Sequence, residues 1–130
     1  MGFETKLSVT SIPGTVIFIL NSELVYRSSP GRLFRVPAEA RTDLFSIPGV
    51  FRSFLFRARK YIECAVLHDG GYRKTLEEYI AGKWVTAEVS RSECDNLLKD
   101  SLSSSGAPKT LIVTIYYGVR AGGWASYRKS

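Results

Sequence analysis

Over the first third of the chain, apolar positions come in short β-branched runs broken by turn residues. Thr15 to Leu20 (TVIFIL) is one such run, Asn21-Ser22 offers a turn, and Glu23 to Arg27 (ELVYR) follows. Ser29-Pro30-Gly31 gives a second turn signal before Leu33 to Val36, which stops at Pro37. The pattern predicts an antiparallel meander of three short strands, with Lys6 to Thr10 as a candidate edge strand. Pro37 to Gly49 reads as a proline-bounded loop that holds Asp43 and Ser46.

From about Val50 the period lengthens. Ile62, Ala65, Val66 and Asp69 recur at i, i+3, i+4 and i+7, which predicts a helix with Asp69 on the line of its apolar face. His68 stands one step round, between Cys64 and Tyr72 at four-residue spacing. Gly70-Gly71 weakens this helix, so either it ends there or something packs closely against it. Leu76 to Val89 reads as a hairpin turning at Ala81-Gly82-Lys83. Ser90-x-x-Glu93 is a capping box, and Cys94, Leu97, Leu98 and Leu102 give the next helix its stripe, with Asp95 on its border. Pro108 suits the first turn of a last helix carrying Leu111, Ile112, Ile115, Tyr116 and Val119. The β-branched content of Thr110 to Tyr117 leaves a strand as the alternative there.

The length of 130 residues supports one domain spanning 1–130, and 45% hydrophobic with 23% charged residues is the balance of a globular protein. No basic stretch leads into an apolar run at the N-terminus, and no apolar run reaches bilayer length, so synthesis in a cytoplasm is expected without a transmembrane segment. Cys64 and Cys94 fit that compartment as buried free thiols. One histidine and no CxxC argue against a zinc centre. The net charge of +6 is spread out, densest at Arg52, Arg57, Arg59 and Lys60. That group is a candidate contact for an anionic surface or an acidic partner, and no motif for specific nucleic-acid recognition accompanies it.

Candidate chemistry concentrates around His68-Asp69. One imidazole, the carboxylates of Asp43, Asp69 and Asp95, and the Tyr72 hydroxyl are costly to bury for packing alone. A histidine bonded to an aspartate of a neighbouring helix can lock two helices together, with Tyr72 and Arg73 meeting the remaining acceptors. The same groups can form a hydrolytic or metal site, or line a pocket for a partner. Asp43 and Asp69 would supply oxygens to Ca²⁺ or Mg²⁺, while Asp43, in its Thr42-Asp43-x-x-Ser46 turn, can equally cap that turn.

The segments VPAEARTDLFSIP, AVLHDGGYR and SRSECDNLLKDSLSSSGAP, in that order, resemble a phage and prophage family, domain-of-unknown-function family 1353. Thr42-Asp43, Ser46-Ile47-Pro48, His68-Asp69, Tyr72-Arg73 and Asp95 match its motifs, and Val119-Arg120 with Gly122 match more loosely. Glu39-Ala40 and Phe45 depart from it, and the hairpin from Thr75 to Val89 looks like an insertion. The resemblance implies phage origin among late or structural genes. His-Asp-x-x-Tyr with a later aspartate is also similar to the site of phospholipases A2. That similarity implies His68 as general base, Asp69 as calcium ligand, and Asp95 with Tyr72 as the groups orienting the imidazole. The glycine-rich calcium loop of those enzymes has no good counterpart here.

The expectation is therefore an α+β domain, an N-terminal antiparallel meander packed on about three helices with a small inserted hairpin. The expected function is that of a bacteriophage late-module protein, virion- or tail-associated, acting through contacts with other phage structural proteins. The rival expectation is a small His/Asp hydrolase, calcium-dependent in one form, acting on lipid or another ester-like substrate.

Overall fold

A computed structural model describes residues 2–15, 17–29, 31–43 and 61–122. Ser46, Arg52, Arg57, Arg59 and Lys60, and the start of the helical pattern at Val50, lie outside the described residues. Two sheets and three helices are described. Strands β1 (Gly2–Phe3), β4 (Leu24–Arg27), β5 (Leu33–Val36), β7 (Glu77–Ile80) and β8 (Lys83–Thr86) form one antiparallel sheet in the order β1-β4-β5-β7-β8. Strands β2 (Val9–Ser11), β3 (Phe18–Leu20) and β6 (Arg41–Thr42) form a second one, in the order β2-β3-β6. The helices are α1 (Ile62–Tyr72), α2 (Arg91–Ser104) and α3 (Lys109–Gly122). The architecture is α+β, as the chain's patterning predicts.

The strands are antiparallel as expected, but they do not form a single meander. The run ending at Leu20 pairs with β2 and β6 and leaves β4 to a different sheet. Asn21 explains the split. Its backbone N–H donates to Ser8 O at 2.9 Å, its side-chain amide donates to Ser8 Oγ at 3.1 Å, and its Oδ1 accepts from Thr10 at 2.8 Å. All of Asn21 is thus turned toward β2, and the chain crosses between sheets where a hairpin was expected. The Pro37–Gly49 stretch likewise contains a strand, β6, held to β3 at Phe18↔Thr42 and Ile19↔Arg41. The β7–β8 hairpin is an extension of the main sheet, since β7 pairs with β5 at Phe34↔Glu78 and Arg35↔Glu77. Its two-residue loop, Ala81-Gly82, has φ of 54° and 83°, the left-handed pair of a type I′ turn.

Helix α1 is buried on every side. The nine residues from Cys64 to Tyr72 are all buried, polar ones included, and only the first two residues, Ile62 and Glu63, are partly exposed, so burial extends well beyond the expected stripe. Sheet residues Leu24, Tyr26, Phe34 and Val36, α2 residues Leu98 and Leu102, and α3 residues Ile115 and Val119 share one core with it. The two glycines make that enclosure sterically possible. A Cβ on Gly70 would stand 2.8 Å from Val36 Cγ2, and one on Gly71 would stand 2.6 Å from Cys94 Sγ. Gly70-Gly71 therefore marks close packing, and the helix runs through both to Tyr72. Helix α2 starts on the capping box: Ser90 Oγ accepts from Glu93 N at 3.1 Å, and Glu93 Oε1 accepts from Ser90 N at 3.2 Å. Helix α3 follows Pro108, whose carbonyl accepts from Ile112 N at 3.0 Å.

Gly71→Ala is expected to cost about 1–3 kcal/mol of stability through overpacking against α2. Cys94→Ala in the same chain removes the sulfur that obstructs it. Urea unfolding of both single variants and the double variant should give a clear positive coupling, and simple additivity would refute the contact.

Candidate functional site

Two polar clusters flank α1, because His68 and Asp69, neighbours in sequence, leave the helix about 100° apart. On one side His68 and Tyr72, one turn apart, bring their rings to 4.3 Å between centroids. Both address Asp95 on α2: His68 Nε2 lies 2.6 Å from Asp95 Oδ1, and the Tyr72 hydroxyl donates to the same oxygen at 2.6 Å. Arg120 on α3 donates to the other oxygen at 3.0 Å. Three donors from two helices thus converge on one carboxylate carried by a third.

The electrostatics follow from burial. His68 and Asp95 are both 0% exposed. Burial pushes the His68 pKa down, and the pull of Asp95 in the opposite direction does not overcome it. Burial alone would raise the Asp95 pKa, but the bonds from His68, Tyr72 and Arg120 outweigh it and hold the carboxyl below its ordinary range. The pair is therefore a neutral imidazole donating through Nε2 to an ionised carboxylate. Burial and the same carboxylate keep the Tyr72 hydroxyl protonated. Burial also raises both cysteine thiols, so neither is a ready nucleophile.

Arg91, at the first position of α2, completes this side. Its Nη2 donates to Val119 O at 3.1 Å and, more closely, to Arg120 O. A cation thus meets the carbonyl end of α3, where the helix dipole favours positive charge. The candidate residues named from sequence did not include Arg91 or Arg120. The Val119-Arg120 match was a signal for the second. For Arg91 there was none beyond its place after a capping serine.

On the other side of α1, Asp69 and Arg73 face Asp43 and Thr42. Arg73 Nη2 closely contacts Asp43 Oδ2, and its Nε stands 3.1 Å from Asp69 Oδ2. Burial, with the nearby Asp43 charge adding to it, pushes the Asp69 pKa up to about 6, although Thr42 and Arg73 pull it down. Among the described residues, Asp69 Oδ2 and Thr42 Oγ1 are buried without a well-aligned hydrogen bond. Asp69, the calcium ligand that the phospholipase similarity implies, and Asp43, the candidate second ligand, thus converge on a guanidinium. Calcium takes six to eight oxygens. Among the described residues no group of three or more His, Cys, Asp or Glu side chains is placed to hold a metal ion. Among the described residues, Asp43 and Asp69 thus serve a guanidinium rather than a divalent cation.

The structure thus brings His68, Tyr72 and Asp95 into one cluster and Thr42, Asp43, Asp69 and Arg73 into another. No described helix is long and apolar enough to cross a membrane. A family model described as "Protein of unknown function (DUF1353)" matches residues 18–119. No curated protein and no solved structure matches the chain.

His68 and Asp69 respond oppositely to pH. The folded chain holds the Asp69 proton more tightly than the unfolded chain does, so its contribution is present below pH 3.8 and lost as pH rises through about 6. That loss is on the order of 3 kcal/mol. The depressed His68 pKa gives stability present above 6.5 and lost as pH falls. Relative to wild type, Asp69→Asn should make stability rise more steeply between pH 4.5 and 6.5, and His68→Gln should make it fall. Urea unfolding at both pH values measures this, and three parallel profiles would contradict it. Tyr72→Phe, which removes one donor from a charged acceptor, should cost about 1.5–3 kcal/mol at pH 7 by the same measurement. A loss below about 0.5 kcal/mol would count against that bond.

Proposed function

The chain belongs to the DUF1353 family, whose description assigns no activity, and from that premise we propose that it is a bacteriophage late-module protein, virion- or tail-associated, that works through protein contacts. The observation that carries this reading is the sealing of the dyad. A general base must reach water or substrate within hydrogen-bond distance, and the His68 ring has no exposed surface through which either could arrive. The cluster ties α1, α2 and α3 together, which is the work of a latch. The phage setting is supported by the resemblance of the spaced motifs to a phage and prophage family.

The surface supports contact work. Tyr117 is 66% exposed and Ile80 50%, and Tyr79 beside Ile80 on β7 and Val113 one turn from Tyr117 on α3 are also exposed, so β7 and α3 each offer an apolar pair for contact. The main sheet ends at β8, which pairs with β7 on one side. A His/Asp hydrolase has weaker support, because the imidazole is enclosed and the two carboxylates beside it hold Arg73.

Mass spectrometry of particles purified from a phage that encodes this chain should detect it at the level of structural proteins. Its absence from particles would overturn the virion assignment. Wild-type thermal unfolding should be unchanged by calcium or chelator. Esterase activity that disappears in a folded His68→Ala variant would replace this proposal with the hydrolase.

A further inference from the structure

A second concave site lies away from the dyad, between the β4–β5 turn and the opposite face of α2. Glu93, Asn96, Leu97 and Asp100 recur at helical spacing along that face and line a cavity of about 280 Å³. Val89 and Leu97 give it an apolar floor, with Phe34 beneath them under Arg32. Its charged groups are fixed. Arg32 is gripped by both oxygens of Glu78, at 2.8 and 2.9 Å, and lies over the Phe34 ring at 4.9 Å. Asp100 accepts from the Tyr26 hydroxyl and from the Ser29 hydroxyl and backbone N–H. Glu93 keeps Oε1 on the helix cap, while Oε2 stands 3.9 Å from Arg32, beyond hydrogen-bond reach.

The charge balance selects the guest. Arg32 is shared between Glu78 and, at 3.9 Å, Glu93, so with Asp100 three carboxylates face one guanidinium and leave the cavity negative in a chain whose net charge is +6. An apolar floor below two carboxylates suits an alkyl stem ending in a cation. Resting on the protein-contact reading above, we propose that this cavity receives a basic side chain, arginine above all, presented by a protein partner. The stem lies against Val89 and Leu97, and the guanidinium meets Glu93 and Asp100, with the Asn96 amide at the rim. Exposed carboxylates alone would give weak and unselective attraction. The preformed floor and the immobilised Asp100 are what give the site shape.

The test is a ¹H–¹⁵N titration of the full chain with N-acetyl-L-arginine amide, and with the citrulline equivalent, a neutral isostere. Saturable shifts at Val89, Asn96 and Leu97 are expected, with a Kd on the order of 1 mM for a ligand of this size. The citrulline compound should bind at least about fivefold more weakly, and Glu93→Gln, which keeps the capping box, should weaken the arginine compound by a similar factor. Asn96→Trp, an exposed position on α2, should block binding while leaving the melting temperature unchanged. No saturation, or equal binding of the two compounds, overturns the proposal. Either result leaves particle association intact as a separate measurement, so failure of the cavity and failure of the virion reading are distinguishable.

Discussion

The fold depends on how one buried charge is met. A carboxylate without exposed surface is tolerated only where donors surround it, and Asp95 has His68 and Tyr72 on one oxygen and Arg120 on the other. These donors come from α1 and α3, so satisfying Asp95 fixes the relative positions of all three helices. The arrangement is costly to break from any side. Removing one donor leaves the charge less well met. Specificity is what such a network contributes, because hydrophobic helices alone can slide against one another at little cost.

The central helix shows the complementary constraint. Surrounded by sheet, α2 and α3, it can carry polar groups only where partners are fixed, and small residues only where neighbours press hardest. Its His-Asp-Gly-Gly-Tyr-Arg segment does both within six residues. His68 and Tyr72 turn to α2, Asp69 and Arg73 turn to β6, and the glycines admit Val36 and Cys94 between them. Conformational entropy argues against two glycines in a helix. Here their cost is offset by the close approach they permit.

Much of this was legible in the sequence, for local reasons. The capping box, Pro108 and the apolar stripes placed α2 and α3, and the β-branched runs marked most of the strands. Helical spacing put His68 and Tyr72 one turn apart, while Asp95 as their partner was implied by the similarity to phospholipase sites. Pairing between sheets was not legible, since Asn21 reads as a hairpin turn until its partners at Ser8 and Thr10 are known. The full burial of α1 was also hidden, because the polar letters in it disguise a helix enclosed on all faces. Arg91 and Arg120 act through long side chains whose reach depends on tertiary placement, so their sequence neighbours carried almost no signal.

The place of Arg120 in the chain also bears on how the protein is made. The imidazole of His68 and the carboxylate of Asp95 leave the ribosome before the guanidinium that balances the carboxylate. During synthesis the first two helices can therefore meet through His68, Tyr72 and Asp95 while the cation that balances the carboxylate is still missing. The nascent domain should remain open to rearrangement until α3 emerges and its carbonyl end is seized by Arg91. Final closure is in this sense postponed by chain order, and a translating ribosome would hold an unsealed form of this protein.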